Sequence, residues 1–312
     1  MALGFTDFIG NKQAIEFVRM LIKRAEGDKF VRIPDMAFLG PPGHGKTMMA
    51  SIVANHLERA FIEINSTCIK DPFQFRGYLT NPKLTGSGAI ILLDECHCLK
   101  RSIQNNLLSA LQTPRKLHTE SKNQIFTDNI PENISFIFAT THAGLIKRAL
   151  QSRLRTIELL EYSVADRQEM TVKYLHRAYN LAGSDFDIKA VVQIARRSRD
   201  GRHVVENCDD IVELMKQDGT NKLTLEVVDK TFKIKGIDNN GLGRVDRKML
   251  KYLAETRTFT GLDTLESALN VTKKEIRQNL EPWLLRNHFI SRHPAGRMIT
   301  KKGYDIIMKD EK

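Results

Sequence analysis

From Phe5 to about Tyr162, stretches with apolar residues at helical spacing alternate with short β-branched apolar runs. This alternation predicts an α/β layer fold. The runs Asp35–Leu39, Ala60–Asn65, Ile90–Leu93 and Ser135–Thr140 are the predicted strands. From Ser163 to about Lys235 no strand pattern stands out. Ser163-Val164-Ala165-Asp166 and Ser184-Asp185-Phe186-Asp187 each read as a helix start, because a capping side chain precedes apolar residues three to four apart. Helical periodicity continues through Val204–Met215 and Thr224–Phe232, so this block is predicted to be a small helical domain. Gly236-Ile237-Asp238-Asn239-Asn240-Gly241 follows as a linker by composition.

Beyond it, helices are predicted at Val245–Glu255, Leu262–Leu269 and Thr272–Asn287, the last opened by the capping box Thr272-Lys273-Lys274-Glu275. Pro282 is expected to kink or split that third helix, since it lacks an amide proton and clashes with the preceding turn. Phe289–His293 and Arg297–Thr300 flank Pro294-Ala295-Gly296 as a hairpin. Three helices and a β-ribbon make a winged helix-turn-helix pattern. The chain thus divides into residues 1–162, 163–235 and 236–312.

Composition adds limits. With 312 residues, 41% apolar and 27% charged, the chain has ample material for two or three cored domains. No apolar run approaches the roughly 18 residues of a membrane span, and Ala89–Leu93 is strand-sized. Residues 1–10 lack a basic-then-apolar leader pattern, so a cytosolic, cytoplasmic protein with no membrane partner is expected. Four cysteines form no paired framework. The net charge is +11, and it is uneven. The last 72 residues carry 15 Lys/Arg against 9 Asp/Glu, the first 240 carry 33 against 28, so basic charge is about fourfold denser at the carboxyl end. A polyanionic partner fits that distribution.

Gly40-Pro41-Pro42-Gly43-His44-Gly45-Lys46-Thr47 matches the phosphate-binding G-x-x-x-x-G-K-[ST] pattern, between a predicted strand and a predicted helix, Met48–Leu57. Glycines allow backbone amides to wrap phosphates at a helix N-terminus, Lys46 reaches the β/γ-phosphates, and the Thr47 hydroxyl suits Mg²⁺. Gly43, His44, Gly45, Lys46, Thr47 and Met48 are therefore the predicted nucleotide-contacting segment. About fifty residues on, Ala89–Leu93 runs into Asp94-Glu95. Two carboxylates at the end of a buried strand call for a cation. Asp94 is assigned to Mg²⁺ with Thr47, and Glu95 to orienting and deprotonating an attacking water. Cys96-His97-Cys98 cannot all face one zinc from an extended strand, since neighbours point to opposite sides, and no second ligand cluster exists. A third strand ends in Thr140-Thr141, where a polar residue lying between the other two motifs would touch the γ-phosphate or the water.

In this order of motifs, with a Ser-Arg pair and a helical block after them, the chain resembles AAA+ ATPases and, more narrowly, the RuvB family of Holliday-junction branch-migration motors. The stretches that carry the resemblance are Asp7-Phe8-Ile9-Gly10, the P-loop with Ile52-Val53-Ala54-Asn55, Asp94-Glu95-Cys96-His97, Ala139–Leu145, Ile194–Arg199, Gly261–Leu265 and Pro294-Ala295-Gly296-Arg297. They span nearly the whole chain. The resemblance implies an AAA+ P-loop NTPase core with a small helical lid domain and a C-terminal winged-helix domain. It implies ATP hydrolysis with Mg²⁺, a homo-oligomeric hexameric ring, and duplex DNA and four-way junctions as partners. Phe8 and Ile9 then look like adenine-pocket residues, Thr141 like the first sensor, and Arg153 like the arginine finger that reaches the nucleotide of a neighbouring subunit. Arg202 looks like the second sensor, although an ungapped match places His203 there. His44, Cys98 and Gln151 depart from the family's usual apolar, basic and arginine residues. The hairpin at about Arg115–Asp128 would be the docking element for a RuvA-like loading partner; here Lys116–Gln124 is mostly polar, with Leu117 the one apolar residue to grip it.

For DNA, Arg292 and Arg297 flank the wing tip while Lys273, Lys274 and Arg277 begin the third helix. Contacts from such residues to phosphate are independent of sequence and weaken with salt. Trp283 reads as domain core. Two rivals to a translocating motor are a clamp-loader-like ATPase and a nucleotide-gated DNA-binding regulator. A two-lobed helicase is excluded, because no second motor-sized α/β lobe exists.

Overall fold

The computed structural model describes residues 3–79, 88–121 and 124–309. Its elements run in chain order α1 (Lys12–Ile22), β1 (Met36–Leu39), α2 (Lys46–His56), β2 (Ala60–Asn65), α3 (Pro72–Leu79), β3 (Ala89–Asp94) and α4 (Arg101–Ala110). Next come the hairpin β4 (Lys116–Ser121) and β5 (Gln124–Asn129), then β6 (Ile134–Thr140), α5 (Arg148–Gln151) and β7 (Arg155–Glu158). Five strands form one parallel sheet in the order β2-β3-β6-β1-β7. The four predicted strands are all present. β7 escaped prediction because only Ile157 of its four residues is buried, leaving no apolar run.

Alternate residues of the central strands feed two cores, one on each face. Ile91, Leu93, Phe136 and Phe138 pack with α3 and α4, while Ile90, Leu92, Ile137 and Ala139 pack with α1 and α2. Both faces are covered, which is why these strands read as continuous apolar runs rather than alternating ones. Below the sheet, Asp35 accepts the Phe136 amide at 2.7 Å and pairs with Arg32, with the fully buried Arg115 guanidinium 3.7 Å away.

The chain divides into two compact units: Met1–Met170 with Asp200–Arg202, and Thr171–Arg199 with His203–Lys312. Helices α6 (Val164–Tyr179), α7 (Ile188–Arg197), α8 (Gly201–Gln217) and α9 (Leu225–Ile234) make up the helical block. Ser163 and Asp166 cap α6 reciprocally, Asp187 caps α7 and Thr224 caps α9. Next come α10 (Arg244–Thr256), α11 (Leu262–Leu269), α12 (Lys273–Glu275), α13 (Glu281–Arg286), the wing strands β8 (Ile290–His293) and β9 (Gly296–Ile299), and α14 (Lys301–Lys309). As Pro282 leads one to expect, the third winged-helix helix is interrupted: a π-helical turn, Ile276–Leu280, separates α12 from α13, which carries Pro282 in its first turn. Trp283 is buried in the core of this domain, as its apolar neighbours predict.

Within the second unit, Arg199 ties the helical block to the winged helix. It ion-pairs with the 2%-exposed Asp246, donates to the Asn279 carbonyl at 3.0 Å and lies over the Trp283 ring. Among the described residues no helix is long and apolar enough to cross a membrane.

Candidate nucleotide site and winged-helix surface

Three parallel strands deliver the site. β1 runs into Gly40–Gly45, β3 ends in Asp94 with Glu95 next, and β6, hydrogen-bonded between them, ends in Thr140 with Thr141 next. Because the strands are parallel, their carboxyl ends open along one sheet edge, where ligands of such folds sit.

The loop from β1 to α2 depends on two glycines. Gly43 and Gly45 have φ of 73° and 83°. A Cβ on Gly45 would stand 2.7 Å from the Phe8 ring and the Tyr162 hydroxyl, and one on Gly43 2.4 Å from the Asp200 carboxyl carbon. Only glycine meets both the backbone and the space. Lys46 is 7% exposed, and its ammonium donates to the Gly40 and Pro41 carbonyls at 2.8 Å each. Burial pulls its pKa below the usual lysine range; the Glu95 and Asp94 carboxylates oppose this, and Arg202 adds to it. A bound polyphosphate would supply counter-charge to this buried cation.

Thr47 Oγ1 lies 3.5 Å from Asp94 Oδ2. Among the described residues no cluster of three His, Cys, Asp or Glu side chains forms a metal site, at Cys96-His97-Cys98 or elsewhere. One hydroxyl and one carboxylate suit a hard cation that keeps waters and takes its other oxygens from phosphate, so the residues fit Mg²⁺. Glu95 has φ of 49°, a left-handed conformation uncommon outside glycine, and its amide donates to Asp94 Oδ1 at 2.9 Å. His97 Nδ1 stands 3.0 Å from Thr140 Oγ1 and 3.2 Å from Glu95 Oε2. Thr141 Oγ1 pairs with His142 Nδ1 at 2.7 Å.

The remaining predicted residues surround this centre. Phe8 and Ile9 are buried, and Phe8 covers Gly45. Met48 is half-buried at the edge of the core beneath α2. His44 is also buried: its Nδ1 donates to the Pro42 carbonyl at 2.7 Å and its ring stacks on Tyr162 with centroids 5.1 Å apart. Arg202 acts electrostatically on Lys46, and Gly201 next to it donates its amide to the Gly43 carbonyl at 3.2 Å. Arg153 is exposed just after α5, with its guanidinium on the Ala149 carbonyl. Gln151 donates to the Ala143 and Ile146 carbonyls at 2.6 and 3.0 Å, fixing α5 to the loop after β6. Sequence reading missed Asp200, Gly201 and Tyr162, whose partners on the P-loop lie more than a hundred residues away; the Asp-Gly pair is the only local sign.

Comparison with known proteins settles the family. The RuvB C-terminal winged helix domain profile matches residues 239–308, and that of the ATPase family associated with various cellular activities (AAA) matches residues 36–162. The Holliday junction branch migration complex subunit RuvB of Flavobacterium johnsoniae is 29% identical, covering 98% of this chain and 90% of that protein. Its counterpart from Fervidobacterium nodosum is 27% identical over 97% and 86%. The structure of Thermotoga maritima RuvB, a Holliday junction branch migration motor, superposes with a TM-score of 0.83 at 25% identity, covering 98% of this chain and 97% of that one.

The chain is a member of the RuvB family of AAA+ ATPases.

As in that family, an α/β AAA core is followed by a helical lid and a winged helix. Its winged-helix surface departs from expectation at Arg297. That side chain is 8% exposed and ion-paired with the 3%-exposed Glu281, and the Arg297 backbone exchanges both hydrogen bonds with Thr260. Arg297 is therefore an internal brace of the wing and no phosphate contact. Lys273 is partly committed too, paired with Asp263, with its amide on Glu266. Arg292, Lys274 and Arg277 are exposed. The hairpin β4–β5 also differs. Leu117 is fully buried, because one face of β4 packs on the core; Ile125, at 76% exposure, is the apolar side chain that the hairpin presents. Residues 122–123 at its tip lie outside the described residues.

Proposed function

We propose that this RuvB-family protein is an ATP-driven DNA motor that promotes branch migration of Holliday junctions by drawing duplex DNA through a hexameric ring. The observation that carries the reading is the gathering of Lys46, Thr47, Asp94 and Glu95 at the carboxyl ends of neighbouring strands, in the same chain as a RuvB-type winged helix. Thr47 and Asp94 would hold Mg²⁺, which when bound neutralises charge on the phosphates. Lys46 binds the β/γ-phosphates, Glu95 orients and deprotonates the attacking water, and Thr141 senses the γ-phosphate. Phe8 and Ile9 enclose the base. Arg202 reports nucleotide state to the lid. Arg153, exposed just after α5, completes the site of the next subunit. Lys274, Arg277 and Arg292 grip the DNA backbone without reading sequence. A RuvA-like loader would dock at the hairpin through Ile125.

The test is ATP-dependent dissociation of a synthetic mobile Holliday junction by the purified protein, beside Lys46→Ala and Arg153→Ala. Movement lost in both variants supports the motor. Nucleotide-dependent junction binding without movement or DNA-stimulated hydrolysis would replace it with a nucleotide-gated DNA-binding regulator.

A further inference from the structure

Glu95 Oε2 is buried and accepts no hydrogen bond. That state is costly for a carboxylate oxygen, so the arrangement around it needs a reason. His97 Nδ1 is 3.2 Å from that oxygen yet bonded to Thr140 Oγ1 at 3.0 Å. Thr140 is fully buried at the end of β6, and its hydroxyl oxygen also accepts the His142 amide at 2.9 Å. The His142 ring lies 4.8 Å from that of His97, centroid to centroid, and the His97 side chain is only 16% exposed. An imidazole so confined has little rotamer freedom. In the tautomer that carries its proton on Nδ1, a single Nδ1–H can serve Thr140 or Glu95 fully, but not both.

We propose that His97 is the positioning residue of Glu95. Its Nδ1–H passes between Thr140, which leaves the carboxylate unheld, and Glu95 Oε2, which fixes the carboxylate for proton abstraction. The exchange ties the base at the end of β3 to the end of β6, one residue before Thr141. A small rotation of the ring is sufficient, since both oxygens already stand within 3.2 Å of the same nitrogen. Cys96, the intervening residue, is buried and holds the turn that brings His97 back over Glu95. This inference rests on Glu95 acting as the base in ATP hydrolysis.

Steady-state ATP hydrolysis by the full chain tests it with His97→Ala, His97→Asn and His97→Gln. Asn places its amide nitrogen where Nδ1 was, whereas Gln reaches the Nε2 position. His97→Ala is expected to lower kcat about tenfold or more with KM within about twofold, the pattern of a lost transition-state alignment. His97→Asn is expected to recover to within about threefold of wild type and His97→Gln to stay low. Unchanged kcat in His97→Ala, or equal loss in all three, overturns the proposal. A second readout needs no turnover: the ¹⁵N imidazole resonances of the nucleotide-free protein. The His97 Nδ1 signal should shift in both Glu95→Gln and Thr140→Val. Its indifference to both overturns the proposal even if the wild-type chain hydrolyses no ATP, an outcome that by itself rejects only the motor reading.

Discussion

Arg297 and Glu281 form a buried ion pair that joins the second wing strand to the third helix of the winged helix. Both groups are almost fully removed from water, so each depends on the other for charge compensation. Arg297→Ala is expected to destabilise this domain by roughly 3 kcal/mol, because it strands the Glu281 carboxylate. Replacing both, as Arg297→Met with Glu281→Leu, should recover most of that loss. Denaturant unfolding of the single and double variants checks this; equal instability in both would show that packing and not charge is at stake.

Exposed basic residues on the same domain should behave oppositely. Arg292→Ala and Lys274→Ala are expected to leave unfolding midpoints unchanged, yet each should lower DNA affinity evenly across sequences and reduce the salt slope by about one. Binding to duplexes of unrelated sequence across a salt series provides the measurement.

Lys46 is buried in the P-loop, whereas Arg153 is exposed just after α5. Lys46→Ala should lose nucleotide binding, while Arg153→Ala should retain it but hydrolyse about 10³-fold more slowly. Mixing the two variants should restore part of the activity, because the proposed ring would then contain interfaces with an intact P-loop facing an intact Arg153. No recovery on mixing would place the action of Arg153 within its own subunit.

Arg199 compensates the 2%-exposed Asp246 across the junction of the helical block and the winged helix. Arg199→Ala is expected to cost about 3 kcal/mol, since the buried carboxylate loses its partner. It should also expose the linker 236–241 to limited proteolysis. Protease resistance equal to wild type would contradict this role.

Much of the fold could be read from short-range pattern. Buried parallel strands announce themselves as apolar runs, and Ser163, Asp187, Thr224 and Thr272 mark helix starts because capping is a local bond. β7 and α14 were illegible for the opposite reason, as β7 buries a single side chain and relies on its pairing with β1. Expecting a third motif between the other two agreed with the sheet, where β6 sits between β3 and β1.

The sequence by itself determined the chemistry on offer: a phosphate loop, paired carboxylates after a buried strand, a threonine-ended strand and a basic carboxyl-terminal domain. Each depends on residues adjacent in the chain or a few positions apart, where covalent spacing fixes geometry. Only the tertiary structure decided which polar groups face water and which face each other. Arg292 is exposed and Arg297 is not, because Thr260 pairs with the strand of Arg297 and Glu281 lies beside it. Leu117 turns inward because its strand packs on the core, and His97 meets Thr140 because β3 and β6 are neighbours. Burial and pairing are set by elements distant in sequence, and no local pattern encodes that choice of partner.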